Sequence, residues 1–140
     1  MNPKKRITVL LADDHKVIRK ELRKMLEVES DLEVVGEAAN GQQAVDMAKK
    51  LRPAVIVMDI SMPKLNGLDA TQQILQVLPA TRVLICSAHS DKAYVERAMA
   101  EGAAGYINKL TSAKTLVAAI REVQKGSPFI SPAMAKRLNE

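Results

Sequence analysis

The sequence predicts an α/β fold, a three-layer sandwich in which a parallel five-stranded sheet lies between two layers of helices. Three observations carry that expectation. Short apolar runs alternate five times with longer stretches of helical periodicity. Four of those runs stop at a polar or charged residue, as buried strands do when they emerge at the edge of a sheet. Finally, 47% of the residues are hydrophobic but only 2% are aromatic, so Val, Ile, Leu, Ala and Met must form the core. That palette suits helices packed on an aliphatic sheet better than an aromatic-rich β-sandwich.

The elements follow in order. Ile7 to Ala12 is a continuous apolar run cut off by Asp13-Asp14, and its length and branching predict a strand buried on both faces. From Val17 the period changes: Ile18, Leu22, Met25 and Leu26 form one buried stripe of a first helix. Leu32 to Glu37 reads as a second strand, and Gly41 to Leu51 as a helix that turns Ala44, Val45, Ala48 and Leu51 inward. Ala54 to Met58 is a third strand that ends at Asp59. After the turn from Ser61 to Gly67, a third helix carries Leu68, Thr71, Ile74, Leu75 and Leu78. Arg82 to Cys86 is a fourth strand ending at Ser87, and a fourth helix covers about residues 92–101. Ala104 to Ile107 is a short fifth strand that leads to Lys109. The fifth helix holds Leu116, Ala119, Ile120 and Val123, with Gly126 as its cap. Five such βα units imply right-handed crossovers and a (βα)5 arrangement.

A chain of 140 residues has the size of one domain. No apolar run approaches the roughly 18 residues needed to span a bilayer, and the N-terminus enters a strand without a small-residue cleavage site. The protein therefore reads as soluble and cytoplasmic, with no membrane partner. The one cysteine, Cys86, has no partner for an internal disulfide and reads as a small buried residue. The net charge of +5 is confined to residues 1–24, which hold eight Lys and Arg against three acids. Much of that excess lies on the first helix, from Lys16 to Lys24, as a solvated face or as a docking face for an acidic protein. Without interleaved aromatics it is a poor nucleic-acid site.

In open parallel sheets ligands bind beyond the carboxyl ends of the strands, where the strand order reverses. For the order 2-1-3-4-5 that point lies between strands 1 and 3, so Asp13, Asp14, Asp59, Ser87 and Lys109 would converge on one crevice. Each residue has a plainer reading: an Asp at a strand end can cap the next helix, and Tyr106 alone reads as core. The joint occurrence at four strand ends favours a site. Three adjacent carboxylates call for a cation, and oxygen-only donors suit Mg²⁺. Such a site, with Lys109 beside it, can admit a phosphoryl group, and a carboxylate can attack phosphorus. His15 and His89 flank the crevice and could bind zinc with Asp14 or Asp91, but two loop histidines read as solvated. The phosphate cradles GxGxxG and GxxxxGK[ST] are absent.

The segments LLADDHKVIRKEL (10–22), VVGEAANGQQAV (34–45), VIVMDISMPKLNGLD (55–69), VLICSAHSD (83–91) and AEGAAGYINK (100–109) resemble a bacterial two-component response-regulator receiver domain. The resemblance implies a flavodoxin-like fold and Asp59 as the phosphoacceptor. It implies Mg²⁺ held directly by Asp14 and Asp59, by Asp13 mostly through water, and by the backbone carbonyl of Ser61. It further implies Ser87 as switch hydroxyl, Tyr106 as switch aromatic, Lys109 as the phosphate-pairing lysine, and a sensor histidine kinase as phosphoryl donor. Whether phosphorylation makes a homodimer is left open.

The ending GSPFISPAMAKRL is similar to the linker of the subfamily with a C-terminal LuxR/NarL-type helix-turn-helix domain. Residues 1–126 are then the receiver, and 127–140 a linker and the start of an extra helix, with Ser131 as N-cap and Pro132 as first position. DNA would be bound only through an output domain beyond this chain. The rival readings are a stand-alone phosphorelay receiver, an Asp-nucleophile Mg²⁺-dependent phosphohydrolase, and a flavin electron carrier. Phosphohydrolases of that kind place a second Asp two residues after the nucleophile, where Ser61 stands, so slow autodephosphorylation at most is expected. Two tyrosines and no tryptophan leave little to stack on a flavin.

Overall fold

A computed structural model describes residues 6–111, 113–131 and 135–136. The strands are β1 (Ile7–Ala12), β2 (Leu32–Ala38), β3 (Val55–Met58), β4 (Arg82–Ser87), β5 (Gly105–Asn108) and β6 (Phe129–Ile130). The helices are α1 (Lys16–Glu27), α2 (Gly41–Leu51), α3 (Gly67–Val77), α4 (Lys92–Ala100) and α5 (Ala113–Gln124). All the strand pairs are parallel and the order is β2-β1-β3-β4-β5-β6. The five expected strands thus stand in the expected order.

The sheet divides the core in two because successive strand residues face opposite sides. Leu10, Ala12, Ile56, Met58, Val83, Ile85 and Tyr106 meet α2, α3 and α4 through Ala44, Val45, Ala48, Leu68, Ile74, Val95 and Ala98. Val9, Leu11, Val55, Val57, Leu84, Cys86 and Ile107 face the other way, toward Leu26 of α1 and Leu116, Val117, Ile120 and Val123 of α5. Leu51 departs from the expected inward stripe. It ends α2 and is 39% exposed, because the chain turns away at Arg52, whose φ of 47° is left-handed.

The helix ends are set by local chemistry. Asn40 and Asn66 cap α2 and α3 by accepting from the amides of Gln43 and Asp69. Gly126 closes α5 at φ 97°, with its N–H donating to the Val123 carbonyl and that of Ser127 to the Glu122 carbonyl.

Two features lie outside the sequence expectation. The segment read as linker contributes β6, which adds to the β5 edge with Gly105 opposite Phe129 and Tyr106 opposite Ile130. Two residues are too short a run to show a period. Beyond it, the amide of Ala135 donates to the Ser131 carbonyl at 2.9 Å and residues 135 and 136 are helical, while positions 132–134 and 137–140 of the expected helix lie outside the described residues. Second, the basic face of α1 is partly neutralised from within. Arg19, Lys20 and Arg23 converge on Glu37 of β2 at 2.9, 3.1 and 2.7 Å. Burial pushes the Glu37 carboxyl up, but Arg23, Lys20 and Arg19 outweigh it and hold it at about 2. None of the described helices is long and apolar enough to cross a membrane.

Candidate functional site

The sheet places the polar strand ends beside one another. The Asp59 amide donates to the Ala12 carbonyl at 2.9 Å, so Asp59 continues the β1–β3 ladder directly next to Asp13. On the far side, the Lys109 amide donates to the Ser87 carbonyl at 2.9 Å and continues the β4–β5 ladder. The loop after Asp59 is held close. The amides of Met62 and Gly67 both donate to the Ile60 carbonyl, at 3.0 and 2.8 Å. Gly67 is required there, because a Cβ at this position would lie 1.9 Å from the Asp59 carbonyl oxygen.

Asp13 and Asp59 are buried, with side chains 4% exposed, whereas Asp14 is partly open at 31%. Lys109 bridges the two buried acids, with its Nζ 2.8 Å from Asp13 Oδ2 and 2.9 Å from Asp59 Oδ2. The second oxygen of Asp59 accepts from the Ile60 amide at 2.8 Å. Burial pushes the Asp59 carboxyl above its ordinary value, the Lys109 hydrogen bond opposes this, and the nearby charge of Asp13 adds to it. Burial pulls the Lys109 ammonium down, but its hydrogen bonds to Asp13 and Asp59 prevail and raise it. One positive charge thus faces three carboxylates. One ligand atom from each of Asp13, Asp14, His15 and Asp59 lies within 4.8 Å of the others. This excess of negative donor atoms fits a divalent cation.

Ser87 is fully buried and its hydroxyl accepts from the His89 amide at 3.1 Å. Tyr106, also fully buried, donates its hydroxyl to the His89 carbonyl at 2.5 Å. Burial pushes the Tyr106 phenol up to about 12, against a hydrogen bond with Ser87 that lowers it. Ser61 is exposed and its hydroxyl lies 2.8 Å from His89 Nε2. The Cys86 thiol, next to Ser87 in β4, is pushed up to about 12 by burial and by the charge of Asp59. It is therefore a poor nucleophile at neutral pH.

Asp13, Asp14, Asp59, Ser61, Ser87 and Lys109 lie at this end of the sheet, and Tyr106, within β5, reaches it through its hydroxyl bond to the His89 carbonyl. The two histidines, set aside as solvated, are both engaged. His15 contacts Asp13, Asp14 and Lys109 at 3.0, 3.1 and 3.2 Å. His89 belongs to no metal-ligand cluster among the described residues. Its ring stacks on Tyr94 with centroids 4.5 Å apart, and its backbone joins Ser87 to Tyr106. Their positions one residue after Asp14 and two after Ser87 are the only signal in the sequence that marks them.

A sheet of order β2-β1-β3-β4-β5-β6 with buried acids at its β1/β3 switch point and a lysine just after β5 defines a flavodoxin-like domain, a class of fold in which ligand sites lie beyond the strand ends. The response regulator receiver domain family matches residues 9–121, and the chain belongs to that family. Over 133 residues it is 37% identical to the transcriptional regulatory protein DegU of Brevibacillus brevis, covering 95% of this chain and 56% of that protein. Over 132 residues it is 37% identical to the response regulator GacA of Pseudomonas aeruginosa, covering 94% of this chain and 62% of that protein. The chain therefore spans less than two thirds of either relative. Among solved structures, a LuxR-family two-component response regulator from Aurantimonas sp. SI85-9A1 superposes with a TM-score of 0.92 at 32% identity, covering 96% of each chain. The signal receiver domain of NarL from Mycobacterium tuberculosis does so with a TM-score of 0.83 at 31% identity, covering 87% of this chain and 98% of that one.

Proposed function

We propose that Asp59 accepts a phosphoryl group from the phosphohistidine of a sensor histidine kinase in the cytoplasm, and that the acyl phosphate acts by changing the packing around Ser87 and Tyr106. The observation that carries this reading is the setting of Asp59. It is a buried carboxylate at a strand end, fixed by the Ile60 amide and Lys109, with a second buried acid alongside. In the transfer, an Asp59 carboxylate oxygen bonds to phosphorus as the phosphorus–nitrogen bond of the donor breaks, and its electron pair leaves with the imidazole. Lys109 holds the carboxylate before transfer and pairs with a phosphoryl oxygen after it. Ser87 donates its hydroxyl to another oxygen, and the move changes its present contacts with His89 and Tyr106.

Asp13, Asp14, Asp59 and the Ser61 carbonyl would hold Mg²⁺. When bound, the ion supplies positive charge that offsets the carboxylates and the phosphoryl oxygens. Ser61 offers no carboxylic acid to protonate a leaving group, so the site favours a stable acyl phosphate over rapid turnover. In the whole protein, the receiver would govern a DNA-binding output domain. The support is that DegU, one of its relatives, is a transcriptional regulatory protein nearly twice as long as the matched segment.

Incubation with acetyl phosphate and Mg²⁺, followed by intact mass, tests the proposal. The protein should gain one phosphoryl group, and Asp59→Asn or removal of the metal should prevent the gain. Equal labelling of wild type and Asp59→Asn would refute it.

A further inference from the structure

His15 occupies the N-cap position of α1, where a side chain ordinarily accepts from the first amides of the helix, yet it makes no such bond. Its own amide instead donates to Asp13 Oδ1 at 2.8 Å, which folds the residue back over the strand end. The imidazole Nδ1 then faces Asp13 Oδ1 at 3.0 Å, Asp14 Oδ1 at 3.1 Å and Lys109 Nζ at 3.2 Å. These contacts conflict. The carboxylates want a donated proton from Nδ1, whereas an ammonium, which has only donors, wants its lone pair. A single nitrogen cannot satisfy both. A divalent cation removes the conflict, because Nδ1 and the two carboxylate oxygens then act alike as lone-pair donors to one centre. The separations suit this: ligand atoms in adjacent octahedral positions around a bond length of about 2.1 Å stand roughly 3.0 Å apart.

We propose that His15 is a nitrogen ligand of the strand-end metal site, so that this site prefers imidazole-seeking divalent ions such as Ni²⁺ and Co²⁺ over Mg²⁺ more strongly than its carboxylates alone would. The inference rests on the metal site proposed above and adds a donor of different chemistry to it. Imidazole nitrogen suits late first-row ions, whereas Mg²⁺ favours oxygen and keeps its water. His15 therefore matters greatly for one group of ions and little for the other. Its ring is 56% exposed and caps nothing, so replacing it leaves the helix intact.

The test is calorimetric titration of the unphosphorylated protein and of His15→Ala with NiCl₂ and with MgCl₂, each ion also titrated in competition with the other. His15→Ala should lose about tenfold or more in Ni²⁺ affinity and stay within about twofold for Mg²⁺. Excess Mg²⁺ should displace Ni²⁺ from the wild type competitively. Pulsed EPR of bound Mn²⁺ should show ¹⁴N coupling in the wild type and lose it in His15→Ala. Unchanged Ni²⁺ affinity, ¹⁴N coupling that persists in the variant, or Ni²⁺ binding that Mg²⁺ cannot displace would overturn the assignment while leaving the Mg²⁺ site intact. A wild type that binds neither ion would overturn the metal site itself, and His15 as its ligand with it.

Discussion

Asp59 is held in a setting that costs stability when its carboxyl is ionised. Its carboxyl titrates above the unfolded value of about 3.9 because burial outweighs the help of Lys109. The folded protein thus binds this proton more tightly than the unfolded chain does. The stability linked to the group is complete below the unfolded value and is lost as pH rises through the folded one. At neutral pH the ionised Asp59 accordingly costs stability, and Asp59→Asn should melt higher than the wild type in metal-free buffer. Lys109 still has Asp13 at 2.8 Å in that variant. The gap should close as pH falls toward about 4, and Mg²⁺ should narrow it by stabilising the wild type alone. Thermal melts across that range check this, and a wild type that melts higher at pH 7 without metal would contradict it. At this scale the sequence was legible wherever a polar side chain ended an apolar run, since that pattern requires only the strand to be found. His15 and His89 were not, because the direction of a loop side chain depends on backbone hydrogen bonds that no spacing reveals.

The loop from β3 to α3 and the packing of α1 on β2 are the elements that fix the site. The former depends on Gly67, whose missing side chain lets the chain pass against the Asp59 carbonyl. Backbone atoms there cannot swing aside as a flexible side chain could. Gly67→Ala should lower stability by about 2 kcal/mol or more and slow phosphorylation of Asp59, measurable by denaturant titration and by mass. An unaffected variant would show that the loop has room. On the other side, the three cations around Glu37 make it an acid-sensitive clasp between α1 and β2. With its carboxyl lowered from 4.5 to about 2, its contribution is present above pH 4.5 and fades as pH falls to about 2. Glu37→Gln should cost about 2 kcal/mol at pH 7 and flatten the acid limb of the stability curve through that window. An unchanged acid limb would place the stabilisation elsewhere. The α1 stripe of Ile18, Leu22 and Leu26 was readable from its period, but its pairing with Glu37 was not. That contact joins residues 18 apart through the β2–β1 adjacency, and it appears only once the strand order is applied. β6 escaped for the opposite reason: two residues carry no period, and only the open edge of β5 gives them a place.

Across the whole molecule, the site and the buried centre of β5 are linked by one short chain of contacts. Ser87 accepts from the His89 amide, His89 accepts from the Tyr106 hydroxyl through its carbonyl, and Tyr106 lies in the middle of β5. A switch needs two discrete packings whose balance a phosphate can shift, and a fully buried tyrosine tied to the neighbouring strand end provides one of them. Ser87→Ala should accept phosphate but lose the amide chemical-shift changes in α4, β5 and α5 that the phosphorylated wild type shows. Identical changes in both proteins would break the proposed route. The fold class, the strand order and the crevice were legible from alternation and strand ends because those features follow from local periods and one topological rule. The chemistry at the crevice is the central claim, and the location of the acyl phosphate tests it most directly. Borohydride reduces an aspartyl phosphate to homoserine, so reduction of the phosphorylated protein and peptide mass mapping identify the acceptor. Homoserine at position 59 alone is the predicted result; homoserine at position 13 or 14, or none at all in a protein that has gained a phosphoryl group, would contradict the account.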